Sequence, residues 1–163
     1  MADKAVSNTG PILHLNEINF IKALAIFSRI LIPEAVSGEL KKYKVRMPLY
    51  VKLINLNSNS KDKVKFLTNQ YSLGIGEAEA IALALQESPN YFLTDDLEAR
   101  QVAKSYDIEV HGTIGIMLRA FRRKIIDKKS AIEKIKALKT NSSLFITQDL
   151  VNEAIKAIRD YST

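Results

Sequence analysis

Short apolar runs alternate with segments of helical periodicity along most of this 163-residue chain. The runs have the length of β-strands, and the segments between them repeat apolar residues at helical spacing. The predicted strands are residues 4–8, 29–32, 51–56, 91–94 and 108–111. The predicted helices are residues 10–27, 33–43, 62–71, 77–87, 96–106, 113–122, 128–138 and 147–161. This alternation predicts an α/β fold in which helices sandwich a short parallel sheet.

Composition narrows the class of protein. A hydrophobic content of 47% with 26% charged residues is typical of a globular protein, and the length fits a single domain over residues 1–163. No apolar run is long enough to span a bilayer, and the start of the chain is too polar for a signal peptide. The chain has no cysteine, which favours a cytoplasmic location, and its two histidines exclude a multi-histidine zinc site. The net charge of +6 suits a polyanionic partner such as nucleic acid.

Isolated polar residues border several of the apolar segments. Asn8 and Asp95 each follow a predicted strand, and functional sites of parallel sheets lie at the carboxyl ends of the strands. Glu39 and Glu77 lie in the apolar segments IPEAVSGEL and LGIGEAEAIALAL. Clustered carboxylates usually hold a hard divalent cation, so these residues predict a metal site. Asn8 is the exception, because its amide oxygen adds no negative charge.

The helix at 77–87 carries two acids, and periodicity separates them. Glu77 aligns with the apolar face, whereas Glu79 aligns with a more polar side, so Glu77 is the better candidate ligand. The alternative is a first-turn acid that interacts with the helix dipole. For Glu39 the alternative is a solvated helix acid, and for Asn8 it is local backbone bonding in the NTGP turn.

Asp95 also has a structural interpretation. As an N-cap residue with Glu98 at the third helical position, it would form a capping box. Asp96 and Arg100 would then form an ion pair one helical turn apart. Capping and metal binding are compatible, since a capping carboxylate at a strand end still faces the crevice.

Five motifs together carry a family resemblance. They are SNTGP (7–11), IPEAVSGEL (32–40), LGIGEAEAIALA (73–84), LTDDLEAR (93–100) and GTIGI (112–116). In this order they resemble a PIN-like branch of the PIN-domain family that is related to toxin–antitoxin ribonucleases. The resemblance covers roughly residues 4–125.

The resemblance implies a three-layer α/β/α sandwich with an acidic pocket that holds Mg²⁺ or Mn²⁺ and cleaves RNA. Carried over by position, the catalytic residues are Glu39, Glu77 and Asp95, with Asn8 completing the metal ligands. Asp96 and Glu79 are weaker candidate ligands. Supporting donors around the carboxylates are Thr9, Thr94, Arg100 and Thr113. Arg100 would either neutralise a non-bridging phosphate oxygen or buttress Asp96, and the buttress is the favoured role. Candidate contacts to an RNA backbone are Lys41, Lys42, Lys44 and Arg46.

Two functions remain open at this point. The first is an endoribonuclease whose activity is weak and favoured by Mn²⁺, because family members with catalytic activity usually have Asp where this chain has Asn8. The resemblance implies that such an enzyme is a candidate toxin of a toxin–antitoxin pair and a candidate homodimer. The second is a catalytically degenerate module that binds RNA or a protein partner. A phosphoacceptor receiver domain is a weaker alternative, because the acid pair of a receiver follows its first strand. The C-terminal helices at 128–161 either pack on the core or form a dimer or antitoxin surface.

Overall fold

The computed structural model describes residues 3–162, which form a five-stranded parallel sheet with helices on its faces. The strands lie in the order β3-β2-β1-β4-β5. Their bounds are Asp3–Ser7 (β1), Phe27–Ile32 (β2), Val51–Leu53 (β3), Tyr91–Leu93 (β4) and Val110–His111 (β5). The helices are Thr9–Glu17 (α1), Glu34–Lys42 (α2), Ser58–Gln70 (α3), Ile75–Glu87 (α4), Leu97–Ser105 (α5), Thr113–Arg122 (α6), Lys128–Asn141 (α7) and Gln148–Asp160 (α8). The predicted fold class is therefore confirmed.

The strand order changes direction at β1, and this determines where a site can form. β1 lies between β2 and β4, and Ser7 is paired with Leu93 at its carboxyl end. One residue further on, the Asn8 N–H donates to the Leu93 carbonyl at 3.1 Å. The chains leaving β1 and β4 therefore start side by side and then diverge, which opens a crevice at this edge of the sheet.

The core occupies both faces of the central strand. Ala5 and Val6 are adjacent, point to opposite faces and are both fully buried. The alanine-rich helix α4 is buried along most of its length, because its small side chains let it approach its neighbours closely. A strand buried on both faces, as β1 is at Ala5 and Val6, is typical of a parallel sheet that helices cover on both sides.

One predicted helix is wrong in its length. The segment 10–27 was expected to be continuous, but α1 ends at Glu17 and a separate 3-10 helix covers Ile21–Ile26. Asn19 adopts a left-handed backbone with φ of 54°, a conformation that asparagine tolerates at a helix end. The next N–H, of Phe20, bonds back to Leu15 at 2.8 Å, and the Phe20 side chain is buried. Burial of this aromatic ring overrides the helical spacing of the sequence.

The C-terminal helices pack on the rest of the chain through one face each. Ile135 and Leu138 of α7 and Val151 and Ile158 of α8 belong to the same apolar core as the sheet. The core-packing interpretation is confirmed for these faces, and a partner surface on their outer faces stays a prediction. None of the helices within residues 3–162 combines the length and the apolar character needed to cross a membrane.

An ion cluster around the buried Asp3 lies at the amino end of the sheet. Asp3 begins β1, and its Oδ2 accepts hydrogen bonds from Arg119 at 2.8 Å and from Arg123 at 2.9 Å. Arg119 also donates to the Tyr91 hydroxyl at 2.5 Å, and Arg123 donates to the Ile26 carbonyl at 3.0 Å. The cluster ties α6 to the start of the sheet, far along the sequence from Asp3.

Candidate active site

A cavity of about 1180 Å³ opens at the carboxyl edge of the sheet. The four predicted site residues come from four separate segments, and all of them line it: Asn8, Glu39, Glu77 and Asp95. Asn8 follows β1 and Asp95 lies just beyond β4, while Glu39 and Glu77 are carried by α2 and α4. Residues that are scattered along the sequence are thus brought to one crevice.

Asn8 is buried, and both polar atoms of its side chain form hydrogen bonds within the fold. Its Oδ1 accepts the Gly10 N–H at 3.2 Å and so caps α1, and its Nδ2 donates to Thr94 Oγ1 at 2.6 Å. Thr94 Oγ1 also accepts the Asp96 N–H at 3.1 Å. The local turn bonding expected for Asn8 is therefore present, together with a long-range bond that joins the ends of β1 and β4.

Asp95 is held from two sides. The Thr113 N–H donates to Oδ1 at 2.7 Å, the Thr113 hydroxyl donates to Oδ2, and His14 Nδ1 lies 2.6 Å from Oδ2. Burial acts to raise the pKa of Asp95, but the bonds from His14 and Thr113 and the charge of His14 outweigh it, so the pKa lies below its ordinary value. The carboxylate is therefore ionised at neutral pH and firmly oriented.

His14 is a site residue that the sequence analysis missed. It was considered only as part of a multi-histidine zinc site, which the chain cannot build. The position of His14 in the sequence was a signal for this role, because a helix capped by the site residue Asn8 has its first turns beside the crevice. Gly10 and His14 lie one turn apart on α1, and both line the cavity.

Glu39 and Glu77 form the opposite, helical wall. The Thr9 hydroxyl donates to Glu39 Oε2, so this acid is bonded to the start of α1 rather than to the lysines of its own helix. A Cβ at Gly76 would lie 2.8 Å from Glu39 Oε1, so a glycine there is what allows α4 to approach this carboxylate. The Glu77 carboxylate makes no hydrogen bond within residues 3–162 and faces the same cavity.

The two weaker candidate ligands have structural roles. Glu79 Oε1 accepts the Ala35 N–H at 3.0 Å, which satisfies the start of α2, and Glu79 does not line the cavity. Asp96 caps α5 by accepting the Ala99 N–H at 2.8 Å. The expected capping box of Asp95 and Glu98 is wrong, since Asp96 is the N-cap and Ala99 occupies the third helical position. The choice of Glu77 over Glu79 agrees with their positions.

Arg100 does not buttress Asp96 as expected. Its Nη2 donates to the Thr94 carbonyl at 3.3 Å, and no ion pair joins it to Asp96 in the part of the chain that the structure describes. This carbonyl directly precedes Asp95 in the chain, so the hydrogen bond holds the guanidinium beside the crevice rather than against Asp96. Thr9 and Thr113 each donate to a predicted carboxylate, as expected, whereas Thr94 accepts a hydrogen bond from the Asn8 amide instead.

The predicted RNA-contacting residues lie outside the cavity. Lys41, Lys42, Lys44 and Arg46 are all solvent-exposed at the end of α2 and in the turn that follows it. A contact between them and a nucleic acid remains a prediction.

His111 also lines the cavity, but its ring is tied into the fold. Burial, together with the positive charges of Arg119 and Arg100, lowers its pKa against the opposing effect of Glu109. Its Nε2 is buried without a hydrogen-bond partner among residues 3–162. Because the neutral ring is favoured in the fold, the stability that this supplies is lost as the pH falls below the ordinary histidine value.

The donors at the cavity suit a hard divalent cation in kind. Three carboxylates and an amide supply only oxygen ligands, which Mg²⁺ and Mn²⁺ prefer. The ligand types suit such a cation, but the side chains are not grouped around one position. Within residues 3–162 no three His, Asp or Glu side chains lie close enough together to hold one ion. The Glu77 carboxylate makes no hydrogen bond within residues 3–162, whereas Asp95 is already bonded by Thr113 and His14.

The sequence comparisons agree with this architecture. A family model described as "DUF3368: PIN domain" matches residues 4–160, which include the C-terminal helices as well as the five motifs. Among curated proteins, none matches the chain. The family match disfavours the receiver-domain alternative.

Proposed function

Since this chain belongs to the PIN-domain family, we propose that it is a divalent-metal-dependent endoribonuclease of low activity. The observation that carries the proposal is the convergence of Asn8, Glu39, Glu77 and Asp95 on one cavity. Structural acids have no physical reason to meet at one crevice, because like charges that share a site repel one another. A cation bound between them would remove that penalty.

Each residue has a defined part in this proposal. Glu77, the least constrained carboxylate, and Asp95, which is ionised and oriented by Thr113, would hold Mg²⁺ or Mn²⁺. Glu39, positioned by the Thr9 hydroxyl, would be a further ligand or would orient the attacking water. When bound, such a cation lowers the pKa of a water and stabilises negative charge on the leaving oxygen.

Two features support low activity. Asn8 contributes an amide where a fourth carboxylate would add charge, so a second cation would be bound most weakly. His14 occupies Oδ2 of Asp95 at 2.6 Å, which leaves this carboxylate less available to an ion. We expect Mn²⁺ to support more cleavage than Mg²⁺.

The partners follow from the same proposal. RNA is the substrate, and Lys41, Lys42, Lys44 and Arg46 would contact its backbone beside the cavity. A role as the toxin of a toxin–antitoxin pair, neutralised by an antitoxin protein, and a homodimeric state are part of the proposal. Growth arrest on expression, relieved by the product of the neighbouring open reading frame, would test the toxin role.

The direct test is cleavage of mixed RNA oligonucleotides in Mn²⁺. Asp95→Asn should abolish cleavage, Asn8→Asp should increase it, and Asp62→Asn, an exposed acid on α3, should leave it unchanged. Equal cleavage by the native chain and Asp95→Asn would identify a contaminating nuclease or a wrong site.

A second candidate function is a PIN-like module that binds RNA or a protein without cleaving it. The observation that favours it is that the hydrogen bonds of the fold already engage Asn8 and Asp95, while no three His, Asp or Glu side chains within residues 3–162 are grouped as ligands. Calorimetric titration with Mn²⁺ separates the two functions. No heat at millimolar concentration would favour the binding module.

A further inference from the structure

We infer that Arg100 is an anion-binding residue of the cavity that contacts a phosphate of RNA next to Asp95. The inference rests on the proposed function, since it names the group that receives the substrate at that site. It also replaces the structural role expected for Arg100 from the sequence, which the structure contradicts.

The charge balance of the cavity shows the need for such a residue. The carboxylates among its lining residues are Glu39, Glu77, Asp95, Asp96, Glu98 and Glu153. Arg100 is the single lysine or arginine among the lining residues in the described chain. A polyanion that enters an acidic crevice is repelled unless cations compensate, and a fixed guanidinium compensates whether or not a metal ion is present.

Most hydrogen-bonding capacity of Arg100 is unused. A guanidinium has five N–H donors, and within residues 3–162 Arg100 uses Nη2 for one bond, to the Thr94 carbonyl at 3.3 Å. Nε is buried and has no partner there, whereas Nη1 has no partner there and is not buried. Nη1, with two N–H donors, is therefore the nitrogen that can donate to the oxygens of a phosphate.

Arg119 and Arg123 differ from Arg100 in their partners. Both form an ion pair with Asp3, whose single negative charge offsets part of their positive charge. Arg100 has no acidic partner in the described residues, although Asp95 lies nearby. No ion pair within residues 3–162 therefore neutralises the positive charge of Arg100, which is available to a bound anion.

Gly112 sets the position of this charge relative to the site. A Cβ at Gly112 would lie 2.7 Å from Arg100 Nη2 and 2.8 Å from Asp95 Oδ1. Both side chains therefore pass over the same bare stretch of backbone, and the glycine is what leaves them room. A phosphate oxygen held by Arg100 would lie beside the carboxylate that the proposed reaction uses.

The experiment measures RNA binding without catalysis. A short, fluorescein-labelled single-stranded RNA is titrated with the protein in EDTA, and anisotropy is read over a series of salt concentrations. Arg100→Gln is compared with Arg159→Gln, which removes the same charge from an exposed position on α8. Arg100→Gln should weaken binding about tenfold and reduce the salt slope by about one phosphate contact, while Arg159→Gln stays near the native value.

Two further measurements make the test decisive. Arg100→Lys should keep the native salt slope but bind more weakly, because it keeps the charge and loses the planar fork. In NMR spectra of the native protein, the Arg100 Nε–H resonance should shift on RNA addition, while that of Arg159 should not. This measurement uses the native chain alone, so it does not depend on whether a variant folds. Equal binding by Arg100→Gln and Arg159→Gln, or an unmoved Arg100 resonance, would overturn the inference.

The outcomes also separate the two proposals. If the native chain cleaves RNA in Mn²⁺ but Arg100→Gln binds RNA like the control, only the role of Arg100 fails. If the native chain neither binds nor cleaves RNA, the proposed function fails with it.

Discussion

Two buried aspartates at opposite ends of the sheet have opposite surroundings. Asp3, at the amino end of β1, is bonded by two arginines that hold its charge inside the fold. Asp95, beyond the carboxyl end of β4, is bonded by Thr113 and His14 and has no arginine or lysine partner in residues 3–162. Burial of a carboxylate is therefore a poor indicator of its role. The informative difference is the kind of partner: Asp3 has two permanently charged guanidinium groups, whereas Asp95 has a threonine and a titratable imidazole.

The largest expected difference is in stability. Asp3→Asn leaves Arg119 and Arg123 without their counter-charge and should lower the free energy of unfolding by about 3 kcal/mol. Asp95→Asn keeps the shape of the side chain and partners for its hydrogen bonds, so it should change stability by about 1 kcal/mol or less. Urea denaturation of both variants checks this comparison, and equal losses would mean that Asp95 is as structural as Asp3.

The next effect concerns the space around Asp95. Gly112→Ala places a methyl group against Asp95 and Arg100 and should cost about 2 kcal/mol of unfolding free energy, because both side chains must move. Gly38→Ala is the matched control, since a Cβ there meets nothing within 4 Å in α2. That variant should gain about 0.5–1 kcal/mol from helix propensity. A harmless Gly112→Ala would contradict the close packing of this edge.

A third variant adds charge to the open end. Asn8→Asp should raise the affinity for Mn²⁺ on the order of tenfold, about 1.4 kcal/mol, because a further carboxylate joins the ligand set. The new side chain can accept a hydrogen bond from the Thr94 hydroxyl, so the link between β1 and β4 survives. Calorimetry measures the affinity, and an unchanged value would show that position 8 does not face the ion.

The smallest expected effect is on the titration of Asp95. His14→Ala removes a hydrogen bond and a positive charge that hold the pKa of Asp95 down against burial, so this pKa should rise. The folded pKa of Asp95 is depressed, so the ionised group stabilises the fold above its ordinary value, and that contribution is lost as the pH falls through the folded pKa. In His14→Ala this contribution should be smaller, and its loss should be complete at a higher pH than in the native chain.

Carboxyl NMR resonances followed over a pH titration report this shift directly. His111→Ala serves as the control, because His111 makes no contact that affects Asp95. A pKa for Asp95 that does not move in His14→Ala would mean that Thr113 alone holds the carboxylate.

The sequence by itself determined the layers, the parallel sheet and the convergence of the acids. Strand and helix periods are local properties, and the ends of parallel strands necessarily meet at one edge of a sheet. Glu77 was separated from Glu79 on the same basis, because helical phase is readable from a single segment. The resemblance carried by the five motifs added the family, which the match over residues 4–160 confirms.

Only the tertiary structure decided how each polar group is satisfied. The bonds of Asp95 with His14, of Asn8 with Thr94 and of Asp3 with Arg123 join residues that are 81, 86 and 120 positions apart. No local pattern encodes such pairs, because they depend on how whole helices pack against the sheet. The same packing ends α1 at Glu17 to bury Phe20 and turns Arg100 toward Thr94 rather than Asp96. For this reason the sequence located the acidic site, while the structure revealed which of its charged groups have no ion-pair partner within residues 3–162.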